Sequence, residues 1–150
     1  MTSPRSTTRP RLGLPVPLVV LLALLAVPRV VVHDLGLAGA DTGLNAVLVF
    51  GPPVVWLAVV LWRRPPNPLL TLAAVGLCYG VLLAAGHQLM WEQAFQDDPP
   101  ALGGRLRGAL PPVVESATLR GAAVVSSVVT GTLVGALTGA VAWGVERARR

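Results

Sequence analysis

Of 150 residues, 53% are hydrophobic and only 13% charged, with a mean hydropathy of +0.67. Soluble domains carry about 25% charged residues, so this composition excludes an ordinary water-soluble fold and leaves no length for a large soluble domain. The net charge of +5 comes from arginine alone, since there is no lysine.

Four apolar runs, 14–32, 44–62, 69–91 and 122–145, organise the chain, and only the first contains a formal charge, Arg29. A helix of about 20 residues crosses a hydrocarbon core of roughly 30 Å. The expected fold is therefore all-α: a bundle of four transmembrane helices spanning 14–145, with a connection over 92–121 and short tails at 1–13 and 146–150. A pI near 11.3 would suit nucleic acid. The arginines sit beside span ends instead, where they meet lipid head groups, so no nucleic-acid partner is expected.

Residues 1–13 are rich in Ser, Thr, Pro and Arg and offer almost nothing to bury, which predicts a disordered tail. Pro15 and Pro17 suit the first turn of the first span, and Pro28 is expected to kink or end it. Arg29 then lies about one turn from the span's end and is expected to snorkel to the interface. A basic start before Leu14–Ala26 also reads as a secretory signal with Ala38-Gly39-Ala40 as the cleavage site. The apolar run exceeds the usual signal length and Arg29 interrupts the approach to that site, which favours an uncleaved span.

The second span carries Gly51-Pro52-Pro53 near its middle. Two prolines remove two backbone donors and crowd the preceding turn, so a helix break is expected there. The break is a static kink in one reading and, in another, the discontinuous helix that lines a transport path. Arg63-Arg64 and three prolines then make a short, stiff connection, so the second and third spans should be antiparallel neighbours.

The third span holds small residues at Gly76, Gly80 and Ala84. The fourth holds Ala123, Ser127, Gly131, Gly135 and Gly139. Four-residue spacing puts each set on one helix face, and faces without side chains let two backbones approach closely. The stripes are expected to pack the bundle, or else to join a second copy of the chain. Between these spans, Pro99-Pro100, Gly103-Gly104 and Pro111-Pro112 argue against a folded domain, with a helix able to start early at Pro112.

Arginines sort unevenly: eight lie in the N-terminal tail, the second connection and the C-terminal tail, against Arg105, Arg107 and Arg120 in the third connection. The positive-inside rule then puts both termini in the cytoplasm, in the plasma membrane of a bacterium if the strong Ala, Gly, Pro and Arg usage reflects a GC-rich genome.

Chemistry-bearing residues are few. Cys78, the only cysteine, lies within an apolar run and reads as inert packing. Tyr79, Leu83 and His87 share a helix face, with Tyr79 and His87 about 12 Å apart and out of bonding reach. His33 and His87 fall at the same end as Asp34, Glu92, Asp97 and Asp98, which makes them candidates for a shallow metal site of imidazoles and carboxylates, or for a pair of haem ligands. Neither has a diagnostic spacing, so no metal or other cofactor is expected. No carboxylate is expected inside a span. Size and span count resemble the small four-span proton-coupled exporters. That resemblance implies a Glu within the first span, which this sequence lacks. The expected function is non-enzymatic: an accessory or structural membrane subunit packing through its small-residue faces, its partners being the bilayer and a second copy or another membrane protein. The alternatives are a small oligomeric transporter or channel, and a metal- or haem-binding membrane protein.

Overall fold

The computed structural model describes residues 12–37, 39, 42–95 and 99–149. Most of the expected tail, Asp41, Asp97-Asp98, Arg150, and Ala38 and Ala40 of the cleavage motif lie outside the described residues. Among the described residues the regular elements are all helical: α1 (Val16–Leu24), α2 (Val27–Asp34), α3 (Gly43–Arg63), α4 (Pro68–Leu89), α5 (Trp91–Ala94) and α6 (Pro112–Ala148), with one 3-10 turn at Gly104–Leu106. Four segments are long and apolar enough to cross a membrane: α1 with α2, then α3, α4 and α6.

The first segment is two helices rather than one. Pro28 has no N–H for the Leu24 carbonyl, so the α-helical ladder stops and Pro28 instead occupies the first turn of α2. The Ala26 N–H bonds the Ala23 carbonyl rather than that of Leu22. The Leu22 carbonyl is taken by the indole N–H of Trp56 on α3, at 2.7 Å, with Trp56 fully buried. An apolar interior strongly penalises an unpaired carbonyl, so the α1–α2 break and Trp56 belong together. The edge of Trp56 also meets the ring of Tyr79 on α4, with centroids 6.0 Å apart.

α3 is helical from Gly43 to Arg63 with Pro52 and Pro53 inside it, so the break expected at Gly51, Pro52 and Pro53 is not an interruption of the helix. Gly51 has no Cβ to clash with the Pro52 ring, and Pro52 is buried against neighbouring helices, which hold the segment helical. α3 starts on Thr42, whose hydroxyl accepts the Asn45 N–H at 3.2 Å, and ends where Arg64 turns left-handed ahead of Pro65. Asn67 caps α4 by accepting the Leu70 N–H at 3.0 Å, with Pro68 in the first turn. Leu12 and Gly13, expected in the disordered tail, are packed. The Thr71 hydroxyl reaches the Leu12 carbonyl at 2.6 Å. Gly13, at φ +67°, fits against Pro65 and Pro66 where a Cβ would clash.

The core of the bundle is the crossing of α4 and α6. Gly76 and Gly80 lie against Gly131, Gly135 and the Ser127–Val128 backbone, and Gly139 lies against Leu69. The chain positions run in opposite directions, so the two helices are antiparallel. A methyl on Gly131 would stand 2.5 Å from the Gly80 Cα, and one on Gly135 would stand 2.7 Å from the Gly76 Cα. The small-residue stripes thus meet each other within one chain. Ser127 is buried at this contact, Ala84 lies buried one turn beyond it, and Ala123 is half-buried at the end of the seam. The opposite face of α6 carries Val125, Val129, Leu133, Leu137 and Val141, all exposed.

At 37 residues α6 is far longer than the expected 122–145 span; at about 1.5 Å per residue it extends roughly 55 Å. Its first turns are the segment predicted to start at Pro112, and they continue the same helix past one end of the bundle. The Glu115 carboxylate there accepts the Leu102 N–H at 2.6 Å, tying down the connection.

Candidate functional site

At the end of the bundle where α2 and α4 finish, three ionisable side chains meet. Asp34 is the last residue of α2, one turn beyond Val30 on the same face. Val30 is buried beside Gly86, where a methyl would stand only 2.9 Å from its Cγ1. That close approach of α2 to α4 sets Asp34 beside His87. One carboxylate oxygen lies 2.6 Å from His87 Nδ1 and the other 3.2 Å from His33 Nδ1. The Asp34 side chain is 4% exposed, against 31% for His87 and 63% for His33.

The expectation that no carboxylate lies within a span is therefore corrected: Asp34 is the closing residue of the first membrane-length segment. Its burial is possible because both oxygens have donors. A carboxylate in its ionised form can only accept, and an imidazole that donates Nδ1–H to it while neutral keeps its lone pair on Nε2.

The three side chains open on a cavity of about 290 Å³, walled by Trp91 and Phe95 of the α5 region and by Ser126 and Ser127 of α6. Beside it the Trp91 ring packs on Phe95, centroids 5.0 Å apart, and carries the Arg120 guanidinium 4.7 Å from its centroid. Arg120 also donates to Glu92 at 2.8 Å, and Gln88 donates to the Arg120 carbonyl at 3.3 Å. These contacts fasten α4 and α5 to α6 around the cavity.

Chemically, the arrangement is an imidazole oriented by a buried carboxylate, able to accept or donate a hydrogen bond or a proton at Nε2. Ser126 and Ser127 line the same cavity, but no hydrogen bond joins either hydroxyl to His87 among the described residues. Their N–H groups lie inside α6 and are committed to its ladder, so neither serine offers a free backbone donor to the cavity. Nor do any three His, Cys, Asp or Glu side chains gather to hold a metal ion among the described residues. His33 and His87 do come together as the sequence suggests, but with Asp34 between them: the carboxylate engages both Nδ1 atoms and holds both rings against itself.

Compared with family models, curated proteins and solved structures, the chain matches none.

Other expected residues lie elsewhere. Tyr79 is buried in the core against Trp56, and half-buried Cys78 packs on the same core. Arg29 is half-buried on α2, with its Nε buried and unpartnered among the described residues. The sequence places Asp34 just after the first span, at the end that also carries His33 and His87, but does not bring its carboxylate into a helix. The available signal was that Val30 and Asp34 share one helical face. No sequence signal pairs Trp56 with Leu22, because the need for that donor arises only once the first segment breaks.

Proposed function

We propose that this chain is an integral membrane protein of four spans, with both termini in the cytoplasm of a bacterium, acting as a non-enzymatic accessory or structural subunit of the plasma membrane. The observation that carries this reading is the glycine seam. Backbone lies on backbone from Gly139 to Ser127, and beside it the interior is filled by Trp56, Val60, Leu72 and Val75. The polar cavity at Asp34 therefore has no polar continuation through the bundle among the described residues. This supports a packed scaffold over a conduit, as does the helical course of α3 through Pro52 and Pro53. The orientation rests on the arginine excess at the end carrying Arg63, Arg64, Arg147 and Arg149.

The stripes that would suit a second copy are occupied within the chain. A protein partner would instead meet the outward faces, such as Val47, Phe50 and Val54 of α3, which are 66%, 67% and 63% exposed. Thiol accessibility tests the scaffold reading in a Cys78→Ala background. Single cysteines at Val55, Leu83 and Thr130 should resist a membrane-impermeant maleimide in intact vesicles. Rapid labelling at Leu83, which faces the interior, would reveal a water-filled path and favour a small transporter.

A further inference from the structure

We infer that the arginine-rich end of the bundle holds a binding site for a phospholipid head group that combines a phosphodiester anion with a hydroxyl donor, as a glycerol head group does. The inference rests on the membrane-spanning reading above, but not on the scaffold role.

Two cavities lie side by side at this end, of about 310 and 390 Å³, sharing Pro66 and Glu146 in their walls. Arg64 and Arg149 line the first, and Arg147 and Trp143 the second. None of these three guanidiniums has a carboxylate within ion-pair distance among the described residues. Between them, Glu146 Oε1 is buried and has no hydrogen-bond partner. Three cations against one carboxylate leave a local excess of positive charge, which calls for an anion. The orphaned acceptor calls for a donor on the same ligand, because a buried oxygen left unpaired is costly.

A phosphodiester satisfies the first requirement, since arginine forks match its oxygens in charge and geometry. A head-group hydroxyl satisfies the second. A choline head group offers no donor and no net charge, and an ethanolamine head group offers a donor but no net charge. The glycerol phosphodiester meets both needs. A lipid suits the site better than a soluble phosphate because the cavities border a lipid-like surface. Trp62 and Trp143 are 77% and 50% exposed at this level, where amphipathic rings sit at a bilayer interface. Leu137 and Val141 form an exposed apolar track along α6 for an acyl chain.

The test is native mass spectrometry of the full chain, delipidated in detergent and titrated with dioleoyl phosphatidylglycerol or the matching phosphatidylcholine. Retention in carbonate-washed membranes is checked first, so failure of the membrane reading is seen separately. The wild-type chain should prefer phosphatidylglycerol by at least about tenfold. Arg64→Gln with Arg149→Gln should weaken that binding about twenty-fivefold, at roughly fivefold for each basic group near the surface. Arg149→Gln alone should lose about fivefold, and serves if the pair misfolds. Arg105→Gln with Arg107→Gln, at the opposite end, should change nothing. Glu146→Ala should keep the preference over phosphatidylcholine but stop distinguishing phosphatidylglycerol from phosphatidylmethanol, which lacks the hydroxyls. Equal wild-type binding of both lipids would overturn the inference, as would equal losses from the two arginine pairs. Displacement by equimolar glycerol 1-phosphate would assign the site to soluble phosphates instead and overturn its lipid character.

Discussion

Replacing Gly131 with alanine adds one methyl group where the α4 and α6 backbones lie in close contact. That methyl would lie 2.5 Å from both the Gly80 N and its Cα, and equally close to the Gly76 carbonyl oxygen. Carbon atoms prefer about 3.5–4.0 Å, and the obstructing atoms are backbone, so no side chain can rotate away. The helices must part by about 1 Å, a gap that forfeits a quarter to a half of each contact's dispersion energy along the seam. Overpacking of this kind costs about 1–3 kcal/mol. Gly144→Ala on the same helix is the control, because a methyl there meets nothing within 4 Å. It should be neutral, or stabilising by up to about 1 kcal/mol through helix propensity. Unfolding in mixed detergent micelles, followed by helicity and tryptophan emission, compares the two. Equal stability of the two variants would refute the seam as the source of bundle packing. Gly80→Ala combined with Gly131→Ala should cost less than the sum of the single changes, since one separation relieves both clashes.

Trp56→Phe keeps most of the ring but removes the indole donor, leaving the Leu22 carbonyl unpaired at the α1–α2 break; a loss of about 1–3 kcal/mol is expected in the same unfolding measurement. His87→Ala strips one donor from buried Asp34 and should cost about 1–3 kcal/mol. A double-mutant cycle with Asp34→Ala should recover part of that cost, whereas strict additivity would show the two side chains to be uncoupled. Glu92→Gln breaks an ion pair with a carboxylate that is 83% exposed, so its effect should stay below about 1 kcal/mol.

The amino-acid sequence announces the four membrane-length segments because each needs only an uninterrupted apolar run. The α4–α6 seam is legible for a related reason: in α6, glycine or serine at 127, 131, 135 and 139 alternates with Val or Leu at 125, 129, 133, 137 and 141, marking an inward and an outward face. Proline is less readable. Pro28 ends a helix while Pro52 and Pro53 do not, and the difference is tertiary. Trp56 supplies a donor to the carbonyl left by the first break, whereas burial and the preceding glycine keep α3 intact. Asp34 is hidden for the same reason. A carboxylate at the end of an apolar run reads as a loop residue until a histidine from a distant helix is shown beside it. The expected disordered tail fails at Leu12 and Gly13, where Thr71 and the proline pair supply contacts that composition alone cannot reveal.

A cross-link tests most directly whether the small-residue faces are joined within one chain. In the antiparallel register fixed by Gly80 against Ser127–Val128, Ala84 falls opposite the Ala123–Val124 turn. With Cys78 replaced by alanine, Ala84→Cys and Ala123→Cys are introduced either in one chain or separately in two differently tagged chains, and native membranes are oxidised. A disulfide within the doubly substituted chain and no tagged heterodimer from the mixed single variants are expected. A heterodimer from the mixture, with no internal bond in the double variant, would contradict a seam joined within one chain.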